Sequence, residues 1–74
     1  MNATLSVRRP EEMRLESQVA GRLGRRVRDF QVVQHAHGLI LKGRTATYHV
    51  KQLAQHATME FSDLPILAND IEVQ

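Results

Sequence analysis

Residues Gly38 to Ala57, GLILKGRTATYHVKQLAQHA, pass from one hydrophobic period to another, and that change decides the fold. Leu39-Ile40-Leu41-Lys42 is a short apolar run between glycines. Leu39 and Leu41 fall on one face and Ile40 and Lys42 on the other, as in a strand. Gly43 is expected to end that strand, where the backbone must take a positive φ or pass close to another element. Thr47 stands where its hydroxyl can accept from the free amides of a first helical turn. From Tyr48 to Phe61 the residues Val50, Leu53, Ala54, Ala57 and Phe61 lie within about 100° of arc on one helical face. Tyr48, Gln52, Gln55 and Met59 take the opposite side.

Upstream, a helix signal opens at Pro10, whose fixed φ suits the first helical position. Glu11 and Glu12 follow, where acids complement the positive helix end. Leu15, Val19 and Leu23 recur at four-residue spacing, with Ala20 beside them, and Gly24 is a left-handed terminator. From Val27 to His35 the period changes to two: Phe30 and Val32 face one way, Gln31, Val33 and His35 the other. Ala36-His37-Gly38 is a turn signal, so this strand and the one over Leu39–Lys42 are read as a hairpin. Downstream, Ser62-Asp63-Leu64-Pro65 breaks the helix. A last strand over Ile66–Val73 alternates Leu67, Asn69, Ile71 and Val73 against Ile66, Ala68, Asp70 and Glu72.

The order is α-β-β-α-β. Each element is apolar on one side only, which gives an α+β two-layer sandwich with two helices on one face of a three-stranded sheet. A right-handed strand–helix–strand crossover makes the second and third strands parallel and the sheet mixed. A wholly antiparallel sheet follows only if the first strand lies in the centre. Residues 1–9 are expected to form a flexible N-terminal segment, and residues 10–74 a single domain. The helices are expected to cover Phe30, Val32, Leu39, Leu41, Leu67, Ile71 and Val73. The opposite face would then present Val33, Ile40, Ile66 and Ala68.

A chain of 74 residues without cysteine has no disulfide staple, no thiolate nucleophile and no cysteine zinc ligand. It buries only about 60% of its unfolded surface, which leaves little room for a deep catalytic cleft and favours self-association as a source of stability. The net charge of +2 is unevenly spread. Residues 1–28 carry seven arginines against three glutamates, a balance of +4; residues 29–74 carry three cations against five acids, a balance of −2. No apolar run approaches the roughly 18–20 residues of a membrane span, and residues 1–20 lack the core of a secretory signal. As given, the chain is expected to be soluble, and either cytoplasmic or a module of something longer.

The chain resembles the BON domain family, the small module named for bacterial osmotic-stress and nodulation proteins, over residues 15–74. The likeness is carried by Leu39-Ile40-Leu41-Lys42-Gly43, by the apolar spacing of Tyr48–Gln55, and by the closing Leu67-Ala68-Asn69-Asp70-Ile71-Glu72-Val73. Gly38 stands one residue nearer Gly43 than the leading glycine of that pattern, and Asp63-Leu64-Pro65 replaces its Gly-Val pair. The resemblance implies the α-β-β-α-β fold and no catalytic residues. It also implies contact with phospholipid or other envelope components, often in the periplasm. Gly38, Gly43, Thr47 and Asn69 would be its structural positions.

Two surfaces are candidates for function. Arg22, Arg25, Arg26 and Arg28, with Lys42 and Arg44, form a basic end suited to anionic lipid headgroups, at about 1 kcal/mol for each basic residue near a charged bilayer. Nucleic-acid phosphate is disfavoured, because Phe30 and Phe61 are expected in the core and Tyr48 alone is left to stack on a base. The second candidate is the bare sheet face of Val33, Ile40, Ile66 and Ala68, a contact site for another protein or a second copy. His35, His37, His49 and His56 come from different layers and give no three-ligand set, so no metal or cofactor is expected. Ser6 and Ser62 lie in no nucleophile motif, and no catalytic residue is assigned.

Overall fold

The computed structural model describes residues 9–74, so the expectation of a flexible segment over residues 1–9 lies, but for Arg9, outside the described residues. Helix α1 spans Pro10–Leu23, and a single 3₁₀ turn over Gly24–Arg26 leads into strand β1, Val27–His35. Strand β2 follows at Gly38–Thr45, helix α2 at Tyr48–Phe61 and strand β3 at Ile66–Val73. The sheet order is β1-β2-β3, with β1 antiparallel and β3 parallel to β2. This is the mixed sheet that the crossover argument favours.

Local chemistry sets each boundary. Pro10 opens α1, and Glu12 Oε1 accepts from Arg9 N–H at 3.1 Å. Gly24 closes the helix at φ 67°, its N–H donating to the Ala20 carbonyl. Thr47 Oγ1 accepts from Val50 N–H at 3.1 Å and caps α2. The hairpin loop is Ala36-His37, with Ala36 at φ 54°, the conformation that primed hairpin turns need at their first position.

The core joins Leu15, Val19 and Leu23 of α1 to Val50, Ala54 and Ala57 of α2, over Val27, Val32, Leu39, Leu41 and Ile71 of the sheet. Both helices thus lie on one sheet face. Val27 and Val32 are both buried although five residues apart, which strict alternation forbids. A bulge resolves this. Arg28 pairs with Arg44 and Gln31 with Lys42, so Asp29 and Phe30 together stand opposite Gly43. Asp29 takes φ 55° and Gly43 φ 152°. A Cβ on Gly43 would lie 3.0 Å from both Arg28 O and Val27 Cγ1. Gly43 therefore marks the bulge and does not end the strand, which runs on to Thr45.

A second irregularity corrects the assignment of faces on β3. Leu39 pairs with Ile66 but Ile40 pairs with Ala68, so Leu67 is the extra residue. Ile66 packs against the core, and Leu67 is 50% exposed. Leu67 lies over Gly38, where an added Cβ would sit 2.5 Å from Leu67 Cγ and 2.7 Å from Pro65 O. Ile66 thus leaves the proposed partner face and Leu67 joins it. Val73 and Phe61, both expected in the core, are exposed: Val73 ends the outer strand beside Thr45, and Phe61 lies on the last turn of α2 beneath Arg22. Thr58, not anticipated, is fully buried, its hydroxyl donating to the Ala54 carbonyl at 2.7 Å.

Candidate anion-binding groove

The 3₁₀ turn after α1, the start of β1, the end of β2 and the first turn of α2 all meet at one end of the sheet. They enclose a surface groove of about 400 Å³. Arg25, Arg26, Arg28 and Arg44 line it, together with the buried Thr45 and the exposed Thr47. No Asp or Glu side chain is among the described residues that line it. Val50, in the first turn of α2, also lines the groove, at the helix end that carries a partial positive charge.

Backbone geometry places these arginines. Arg26 folds back on the helix it follows: Nε donates to the Leu23 carbonyl at 2.8 Å and Nη2 to the Arg22 carbonyl at 3.4 Å. Both acceptors belong to the last turn of α1, where carbonyls lack helical partners and cations are favoured. Thr45 Oγ1 donates to the Arg26 carbonyl at 2.8 Å, which locks the end of β2 to the 3₁₀ turn. Arg28 and Arg44 are cross-strand partners in the antiparallel ladder. Such like charges repel, and Arg44 relieves this by pairing with Asp29 at 3.2 Å. A bound anion would relieve the remaining repulsion.

Four of the six basic candidates therefore come together, and two do not. Arg22 faces α2, where it pairs with Glu60 and stacks over the Phe61 ring at 5.5 Å. Lys42 stands on the open sheet face beside its cross-strand partner Asp70, in a shallow depression that Arg44 also borders. Thr45 is the residue that sequence reasoning missed. Its signal was present in its parity with Leu41, which directs it to the helix side of the strand.

The structural positions have distinct roles. Gly38 makes room for Leu67, Gly43 for the bulge, and Thr47 caps α2. Asn69 joins β3 to α2. Its Nδ2 donates to the Lys51 carbonyl at 2.9 Å and to Gln55 Oε1 at 3.3 Å, while Oδ1 accepts from Ile71 N–H at 3.3 Å. On the open face, Val33, Ile40 and Ala68 are half-buried. The four histidines are exposed, and among the described residues no three metal-ligating side chains converge. Ser62 Oγ accepts from Leu64 N–H at 3.1 Å, a loop bond. No described helix is long and apolar enough to cross a membrane.

No family model matches the chain, and no curated protein and no solved structure matches it at a significant level. The resemblance to BON domains rests on the sequence of Leu39–Gly43, Tyr48–Gln55 and Leu67–Val73 alone.

Proposed function

We propose that this chain is a non-enzymatic binding module of the BON type that docks on anionic phospholipid through the arginine groove. The observation that supports this reading is the convergence of Arg25, Arg26, Arg28 and Arg44 on one groove where, among the described residues, no Asp or Glu side chain lines it and Asp29 pairs only with Arg44, in a chain whose net charge is only +2. Arg44 is already paired with Asp29; at about 1 kcal/mol per basic residue near an anionic bilayer, the other three arginines contribute about 3 kcal/mol, a factor on the order of 10² over a neutral surface. Nucleic acid is the weaker alternative. Tyr48 is 62% exposed near the groove, but Lys51 lies over its ring at 5.9 Å, and Phe61 is already stacked under Arg22. One aromatic platform supports little base stacking.

Co-sedimentation with phosphatidylcholine vesicles containing increasing phosphatidylglycerol tests this reading, beside a salt titration with a single-stranded oligonucleotide. The expected result is binding that rises steeply with anionic lipid and is absent on pure phosphatidylcholine. Equal binding to both vesicle types, or tighter binding to the oligonucleotide at matched salt, overturns the reading.

A further inference from the structure

We propose that the open face of the sheet is a contact surface for a second copy of this chain. The two copies pack sheet to sheet about a two-fold axis that runs parallel to the strands, between β2 and β3. The face divides along the strand direction. One end is apolar, with Val33, Ile40, Leu67 and Ala68 standing away from the helices. The other end carries charge in two adjacent columns: Lys42 and Arg44 on β2, Asp70 and Glu72 on β3. The parallel register pairs Lys42 with Asp70 and Arg44 with Glu72. No ion pair between described residues uses Lys42 or Asp70.

A half-turn about the stated axis leaves height along the strands unchanged and exchanges the two columns. Lys42 of one copy then lies over Asp70 of the other, and Asp70 over Lys42. Ile40 and Ala68 meet in the same reciprocal way, as an isologous contact demands. Aligned packing of two sheets about 10 Å apart is the ordinary geometry for such faces. An axis through β2 would set Lys42 against Lys42, and an axis perpendicular to the strands would set the apolar end against the charged end. The charge pattern therefore selects one arrangement.

The axis between β2 and β3 leaves β1 outside the overlap, so two strands of eight residues, at about 4.8 Å between strands and about 3.3 Å per residue, offer roughly 250 Å² per copy. The total falls below the roughly 1,200 Å² of standard interfaces, so the dimer belongs to the weak, transient class. The same axis keeps both arginine grooves at one end of the dimer, because every groove residue lies where β2 and β3 end. If the groove binds an anionic surface, the dimer is bivalent toward it; the dimer itself does not depend on that reading.

Sedimentation equilibrium from about 10 μM to about 1 mM tests the proposal without lipid. The expected mass rises from 8.4 kDa toward twice that value across the range. Lys42→Glu and Asp70→Lys each set like charges across the axis, and each is expected to weaken dimerisation at least ten-fold. Mixed in equal amounts they restore both reciprocal contacts, and K42E/D70K in one chain does the same. NMR shift changes on concentration should fall on Ile40, Lys42, Ala68 and Asp70 and spare α1. A chain monomeric at 1 mM, single variants that dimerise like the parent, or a mixture that stays monomeric overturns the proposal.

Discussion

Glu12 Oε2 accepts from the backbone N–H of Gln34 at 2.6 Å, a helix carboxylate closing the free edge of the sheet. One turn further on, Glu16 Oε2 accepts from Val32 N–H at 2.8 Å. Four residues of helix rise roughly 6 Å, and two residues of strand roughly 6.7 Å. Carboxylates at i and i+4 on α1 therefore match the outward amides at i and i+2 on β1. Those amides would otherwise form an open template for another strand. On the opposite edge, Asn69 Oδ1 accepts from Ile71 N–H, so both outer strands have an amide held by a side chain.

Glu12 is buried and uses both oxygens, one on Arg9 N–H and one on Gln34 N–H. Glu12→Gln keeps the shape but turns an NH₂ group toward one of these donors. Bonds to charged acceptors are worth about 1.5–3 kcal/mol, so the loss is expected to be about 2 kcal/mol by urea denaturation. Amide exchange at Gln34 or Arg9 should quicken beyond the global change. An unchanged midpoint would mean that the edge bonds do not hold α1 in place.

Ala36 and Gly43 should respond in opposite directions to exchange between alanine and glycine. Ala36 sits at φ 54°, which costs an L-residue about 1–2 kcal/mol. Glycine removes that strain at an entropic cost of about 0.5–1 kcal/mol. Ala36→Gly is thus expected to stabilise by about 0.5–1 kcal/mol. Gly43→Ala meets both φ 152° and the Arg28 carbonyl at 3.0 Å, and should cost about 2–3 kcal/mol. Thermal melts of the two variants decide the signs.

Much of the fold was legible because period and punctuation agreed. Pro10, Thr47 and Gly24 mark helix ends through their own backbone chemistry, and the limits of α2 follow from its apolar arc. The two bulges were not legible. Asp29 takes a positive φ without being glycine, and Leu67 interrupts a run that alternates correctly on paper. A slip of one residue reverses every later face, which is why Ile66 and Leu67 exchange roles. The basic candidates divided for a related reason: sequence shows that Arg22 and Arg25 are near neighbours. Only the packing of α1 on α2 brings Glu60 and Phe61 to Arg22.

Asn69→Asp tests the tie between β3 and α2. A carboxylate can still accept from Ile71 N–H but cannot donate to the Lys51 carbonyl, and Gln55 can turn its amide to follow the change. One acceptor is left facing another. Asn69→Ala should cost about 1–2 kcal/mol through the lost bonds, and Asn69→Asp more than Asn69→Ala because of the added repulsion. The reverse order in urea midpoints would mean that the Lys51 contact contributes little.

The arginines should separate by position and not by charge alone. Arg25→Ala and Arg28→Ala each remove one cation from the groove and should lower affinity for anionic vesicles about five-fold, the equivalent of about 1 kcal/mol. Arg26→Ala should lower affinity and also stability, since its guanidinium bonds the last carbonyls of α1. Arg22→Ala removes the same formal charge outside the groove, where the side chain serves Glu60 and Phe61. Its expected effect is a stability loss below about 1 kcal/mol, with vesicle affinity unchanged within two-fold. If Arg22→Ala weakens vesicle binding as much as Arg28→Ala, the attraction is diffuse and the groove does not direct it.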